Sequence, residues 1–199
     1  MPPKPAPKKQ KPQVSVKDRI IDAALKLAAV QSWSFITIRD VANEAEIDLA
    51  GFYEVFDGKD DIVTAYGRRL DLKVLQNFSD IHPETPLRDL IFDIIMERFD
   101  LANKDREGLK SILNSMKSDP KQFFTALPQL SASMTRMLEA AGIDAYGPKG
   151  AIRVAGLTTA VAWVTKTWME DESQDLSKTM AALDKALERI EGLADRFGL

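Results

Sequence analysis

The chain has 199 residues, 45% of them apolar, enough to bury a core without cross-links. It holds no cysteine and one histidine, His82, which excludes disulfides and thiolate chemistry and leaves any metal site to carboxylates, so neither metal nor cofactor is expected. The net charge of −3 is unevenly spread: residues 1–19 hold Lys4, Lys8, Lys9, Lys11, Lys17 and Arg19 against Asp18 alone, and everything behind them is acidic on balance.

In chain order, residues 1–14 read as a disordered basic arm, because five prolines and four lysines within the first 13 positions can neither form a helix nor bury a core. A helix-turn-helix domain is expected over 15–80. Its first helix starts at Ser15, with Asp18 as capping partner, and puts Ile20, Ala23, Ala24, Leu27 and Ala28 on one face. Trp33 and Phe35 supply large apolar bodies at the turn that follows. Thr37 and Asp40 open a second helix with Ile38, Val41, Ala42 and Ala45 as its stripe. After a turn at 45–47, Asp48 caps a short third helix reaching about Phe56. Asp57-Gly58 marks a turn, and a long helix runs from about Lys59 to Phe78 with Ile62, Val63, Tyr66, Leu70 and Phe78 inward.

Pro83 and Pro86 mark the boundary to a second domain, 86–199. Helical patterns cover 86–101, 105–118 and 120–141, the last kinked near Pro128 and capped at Gly142. Residues 150–169 are apolar on nearly every side, so burial on most sides is expected. Residues 176–197 repeat Met180, Leu183, Leu187, Ile190, Ala194 and Phe197 as a narrow seam for a partner helix. Together these last two helices fit a two-fold dimer interface, or pack only within the monomer. No strand pattern competes, so the fold class is all-α. The most apolar run carries Arg153 and Lys166, which leaves too few uncharged residues for a span, and the N-terminus lacks an apolar leader; a cytoplasmic protein without a transmembrane segment is expected. Gly-rich phosphate loops, nucleophile elbows and metal-ligand clusters are missing from the sequence, so an enzyme is not expected.

The stretch 35–62, FITIRDVANEAEIDLAGFYEVFDGKDDI, resembles the DNA-binding signature of the TetR family. The match rests on the Thr-capped helix, Ile47 after the turn, the aromatic pair Phe52 and Tyr53, Phe56, and Lys59 followed by two acids; it extends over about 15–75. The resemblance implies a TetR-like fold, with an N-terminal three-helix helix-turn-helix domain and a C-terminal ligand-binding and dimerisation domain. It also implies a transcriptional regulator, acting as a repressor, controlled by an apolar or amphipathic ligand. On that pattern the third helix enters the major groove. Arg39, Tyr53 and Lys59 then contact the DNA backbone or bases, and Thr37, Asp48, Leu49 and Gly51 complete the DNA-facing set. Two departures stand out. Glu46 occupies a turn position where the family usually has glycine, and the reading helix offers no Arg, Gln or Asn for bidentate base contacts. Residues 37–61 hold eight acids and two bases, a charge that opposes a polyanion unless the basic arm, otherwise a solubilising tail, compensates by reaching a neighbouring groove.

The run 168–183, WMEDESQDLSKTMAAL, is similar to the tail of the ubiquinone-biosynthesis accessory family, carried by Asp171, Glu172, Ser173 and Asp175 before Thr179 and Leu183. That resemblance implies the alternative of a lipid-binding accessory protein on the same fold that has lost DNA recognition. For either reading Phe92, Met96, Phe99, Met116, Phe124, Met137 and Trp163 are candidate linings of an apolar ligand site, or ordinary core. Arg153, a lone cation on an apolar helix, needs a carboxylate, a backbone carbonyl or a ligand headgroup.

Overall fold

The computed structural model describes residues 14–78, 85–118 and 120–197, and the side chains of 118–124 and 193–197 lie outside that description. The basic arm up to residue 13, His82, and the side chains of Phe124, Ala194 and Phe197 therefore fall outside the described residues. Among the described residues the chain is all helix: α1 (Val16–Val30), α2 (Ile38–Glu44), α3 (Leu49–Tyr53), α4 (Lys59–Asn77), α5 (Leu87–Asn103), α6 (Arg106–Ser118), α7 (Pro120–Ala140), α8 (Gly147–Glu170) and α9 (Ser177–Phe197), with a 3₁₀ turn at Trp33–Phe35. No helix among them is long and apolar enough to cross a membrane.

The helix starts follow from the predicted caps. Ser15 accepts from the Asp18 amide, Thr37 from the Asp40 amide, and Asp48 from the Gly51 amide, each satisfying an orphan N–H of a first turn. Gly142 adopts φ +74°, and the Ile143 amide donates to the Leu138 carbonyl at 2.9 Å, which closes the end of α7. α3 stops at Tyr53, three residues short of expectation. Beyond it the Val55 and Phe56 amides both turn back onto the Phe52 carbonyl, which swings Phe56 into the core.

The three-helix head packs around Ile20, Ile21, Val41, Phe52 and Ile62, all essentially inaccessible. Phe35, expected to pack at the turn, instead stands 81% exposed while Trp33 takes the buried place. The head is not a free module. α6 lies across α1 so closely that a β-carbon at Gly108 would meet the Leu25 carbonyl oxygen at 2.6 Å. Ser111 of α6 accepts from the Trp33 amide at 2.9 Å and donates to the Gln31 carbonyl at 3.1 Å. Tyr66 of α4 reaches Asp105, just ahead of α6, at 3.0 Å. One continuous apolar core joins the head to α5–α9.

Two expectations for the rear helices change. α8 is not buried on most sides: Val154, Leu157, Val161, Val164 and Trp168 face the core, but Ile152, Ala155, Thr159 and Trp163 form an exposed stripe. The α9 seam is likewise divided, because α9 lies directly on α8. Leu183 and Leu187 are buried within the monomer, whereas Met180 is 41% exposed.

Candidate nucleic-acid interface

The three-helix head sets its helix starts through short-range carboxylate contacts. Asp40 accepts from the Thr37 amide (2.8 Å) and hydroxyl (2.7 Å), while Thr37 accepts from the Asp40 amide, a reciprocal box that fixes where α2 begins. The Thr37 hydrogen bonds hold the Asp40 carboxyl below the usual carboxylate range. Asp48 takes the Gly51 amide at 2.7 Å, and Asp61 takes the amides of Asp57 (2.9 Å) and Gly58 (3.1 Å) at the start of α4. Glu44 is paired with Lys26. Four of the eight acids between 37 and 61 thus have a structural partner, and three of them face helix N-termini whose dipoles offset their charge.

The turn between α2 and α3 takes the conformation that the family's glycine would allow. Glu46 has φ +52°, an uncommon setting for a residue with a side chain. Arg19 of α1 secures it by donating to the carbonyls of Ala45 and Glu46. Arg19 belongs to the basic excess of residues 1–19, but its guanidinium is an internal tie. No local pattern announces this, since donor and acceptors lie 26 and 27 residues apart.

Of the DNA-facing candidates, Arg39, Thr37, Asp48 and Tyr53 are exposed and lie within or beside α2 and α3; Leu49 and Gly51 are half-buried on α3. Tyr53 is 55% exposed and stands edge-on to buried Phe52, ring centroids 5.5 Å apart. It also borders a cleft of about 430 Å³ with Lys17 of α1 and Arg68 of α4, two cations that the motif comparison did not pick out. Lys59 is placed differently from its expected outward role. Its ammonium donates to the carbonyls of Trp33 and Ile36, both at 2.6 Å, and sits 4.3 Å from the centre of the Trp33 ring. Burial pulls its pKa down, and the ammonium closes the 3₁₀ turn ahead of α2.

The described ligand-site candidates fall in different settings. Met96, Phe99 and Met137 are buried in the common core, and Phe92 and Met116 pack half-buried at its edge. Trp163 is 46% exposed on the outer stripe of α8, with the Arg189 guanidinium 6.0 Å from its ring centre. Arg153 finds a backbone acceptor, the Asp144 carbonyl at 3.0 Å. The acidic run before α9 has a local explanation. Asp171, 1% exposed, accepts from the amides of Ser173 (3.0 Å) and Thr179 (2.8 Å) and from both hydroxyls, while Arg106 donates to its carbonyl. Burial pushes its carboxyl up, but the Ser173 and Thr179 hydrogen bonds outweigh that and hold it well below the usual range. The Thr179 amide lies in the first turn of α9, so Asp171 satisfies one of that turn's orphan donors.

Residues 20–66 match the family model described as "Bacterial regulatory proteins, tetR family". No curated protein matches the chain. Among solved structures, the fold is similar to a TetR transcriptional regulator from Nitrosomonas europaea ATCC 19718, 23% identical, TM-score 0.71, covering 88% of this chain and 97% of that one. It is also similar to a TetR transcriptional regulator from Rhodococcus sp. RHA1, 16% identical, TM-score 0.62, covering 87% of this chain and 94% of that one. Residues 20–66 thus match the tetR-family model, and the fold of the chain is similar to that of TetR transcriptional regulators.

Proposed function

We propose that the protein binds operator DNA as a homodimer through Thr37, Arg39, Tyr53 and the exposed side of α3, and that an apolar or amphipathic ligand held among the C-terminal helices controls this binding. One observation carries the DNA reading: half of the acids that make the head look hostile to DNA are committed to caps and an ion pair, while Arg39 and Tyr53 stand exposed on it. Base readout by this helix is weak in hydrogen-bonding power, so phosphate attraction and DNA shape supply more of the affinity than in a reader rich in Arg and Gln. The lysines of the N-terminal segment, together with Lys17 and Arg68 beside Tyr53, add to the attraction.

The dimer reading is supported by the stripe Ile152, Ala155, Thr159 and Trp163 on α8, which leaves large apolar side chains in solvent beside α9. Support for an apolar ligand comes from the methionine-rich core at Met96, Met134 and Met137, whose flexible side chains rearrange readily. A cytoplasmic location fits a protein that works on DNA. The decisive experiment titrates the protein against its own upstream region over a salt series. A steep fall of log K with log salt and a large excess of specific over non-specific binding are expected. Absence of binding even at low salt overturns the reading.

A further inference from the structure

Asp71 lies on α4, 12 residues past Lys59 and hence about 18 Å further along the same helix. It is 1% exposed, and its carboxylate gathers three donors from two other helices. Arg98 of α5 donates through Nε at 3.2 Å, Ser133 of α7 through its hydroxyl at 2.6 Å, and Arg136 of α7 through Nη1 at 3.0 Å. At its end α4 also holds α5 through an exposed hydrogen bond from Asn77 to Glu97 at 2.7 Å; the apolar contacts around these bonds tolerate sliding, since dispersion contacts are not directional. Hydrogen bonds to a carboxylate are directional, and a displacement of about one ångström breaks them. A buried carboxylate deprived of partners is costly, so intermediate settings are disfavoured.

We propose that Asp71 is a positioning residue that holds α4 in one register against α5 and α7, so that movement of either helix is passed to the reading head through this carboxylate. α4 begins in the head, with Lys59 closing the turn before α2, so a shift of α4 along or about its axis carries α2 and α3 with it. The second attachment of the head, through α6 at Gly108 and Ser111, bears on α1 and the 3₁₀ turn. α7 therefore addresses the head through Asp71, whereas α6 addresses it through α1 and, at its start, through the Tyr66–Asp105 bond to α4. The geometric claim is independent of DNA binding; only its use in regulation rests on the function proposed above.

The test uses the full chain, which has no native cysteine to interfere with labelling. Spin labels at Asn43→Cys in the head and Glu188→Cys on α9, both exposed, report the distance between them by pulsed dipolar spectroscopy. Labelled chain is diluted into unlabelled chain to suppress distances between subunits. Asp71→Asn is expected to broaden or shift the distribution and to weaken operator binding about tenfold. Ser133→Ala, which removes one neutral donor, is expected to act in the same direction more weakly, and it carries the test if Asp71→Asn does not fold. A lower melting temperature with an unchanged distance distribution in the folded variants overturns the proposal and leaves Asp71 a stabilising residue only. A distribution that responds in a protein whose wild type binds no DNA keeps the positioning claim and rejects the regulator reading.

Discussion

The head and the rear of the molecule pair their carboxylates in opposite ways. In the head, carboxylates answer amides three or four residues away: Asp40 with Thr37, Asp48 with Gly51, Asp61 with Gly58 and Asp57. In the helices behind it, Asp71 binds partners 27, 62 and 65 residues distant. Local pairing lets a small domain define its helix ends almost independently of what it is attached to. Distant pairing joins separate helices through one buried carboxylate, so on the proposal above the rear sets the position of the head but not its internal shape. Asp171 lies between these cases: its donors are two and eight residues on, yet it is fully buried.

The largest effect that would sharpen this contrast is expected at Asp171. Asp171→Ala strips the acceptor from four donors in a buried setting and should cost about 3 kcal/mol in denaturant unfolding. The pH dependence has a definite sign. The folded carboxyl is held below its unfolded value near 4, so its contribution is present at neutral pH and drains away as pH falls below about 4. Asp171→Asn should flatten that acid limb; an unchanged limb would remove Asp171 from the explanation. Next, Gly108→Ala should cost about 2 kcal/mol, because its β-carbon meets backbone rather than a side chain that can turn aside. A neutral Gly108→Ala would mean that α1 and α6 separate easily and that the head is more independent than described.

Within the head, Asp48→Ala should lower stability by about 1 kcal/mol through loss of the α3 cap, measured by thermal melting. The two cations of the motif separate there: Arg39→Ala should reduce the salt slope of DNA binding by about 1 with little change in stability, whereas Lys59→Met should destabilise the head. The reverse pattern would place the Lys59 ammonium on the phosphate backbone. The smallest expected effect is a gain. Glu46→Gly relieves a positive φ and should stabilise by about 0.5 kcal/mol, detected as a higher denaturation midpoint.

The same division explains what could be read in advance. Ser15, Thr37 and Asp48 announce helix starts because cap and amide are neighbours in sequence, and the head was legible almost residue by residue. The inward turn of Lys59 was not, because its acceptors, the carbonyls of Trp33 and Ile36, lie 26 and 23 residues back. The burial of α8 was overestimated because Ala and Thr on its outer stripe look as apolar in sequence as core residues do; only packing against α9 separates the two faces. Asp71 carries no local signal at all, being one acid within the polar run of α4 until the fold brings two arginines and a serine to it.

The three tryptophans sit in three different surroundings: Trp33 in the head under an ammonium group, Trp168 in the rear core tilted against Phe99, and Trp163 on the outer face of α8. Chains that keep one indole at a time would therefore emit from one region each, with Trp33 reporting loosening of the reading head, Trp168 reporting entry of solvent into the rear, and Trp163 shifting toward the blue when the α8 face is covered. Fluorescence thereby resolves events in separate parts of the molecule without any added dye.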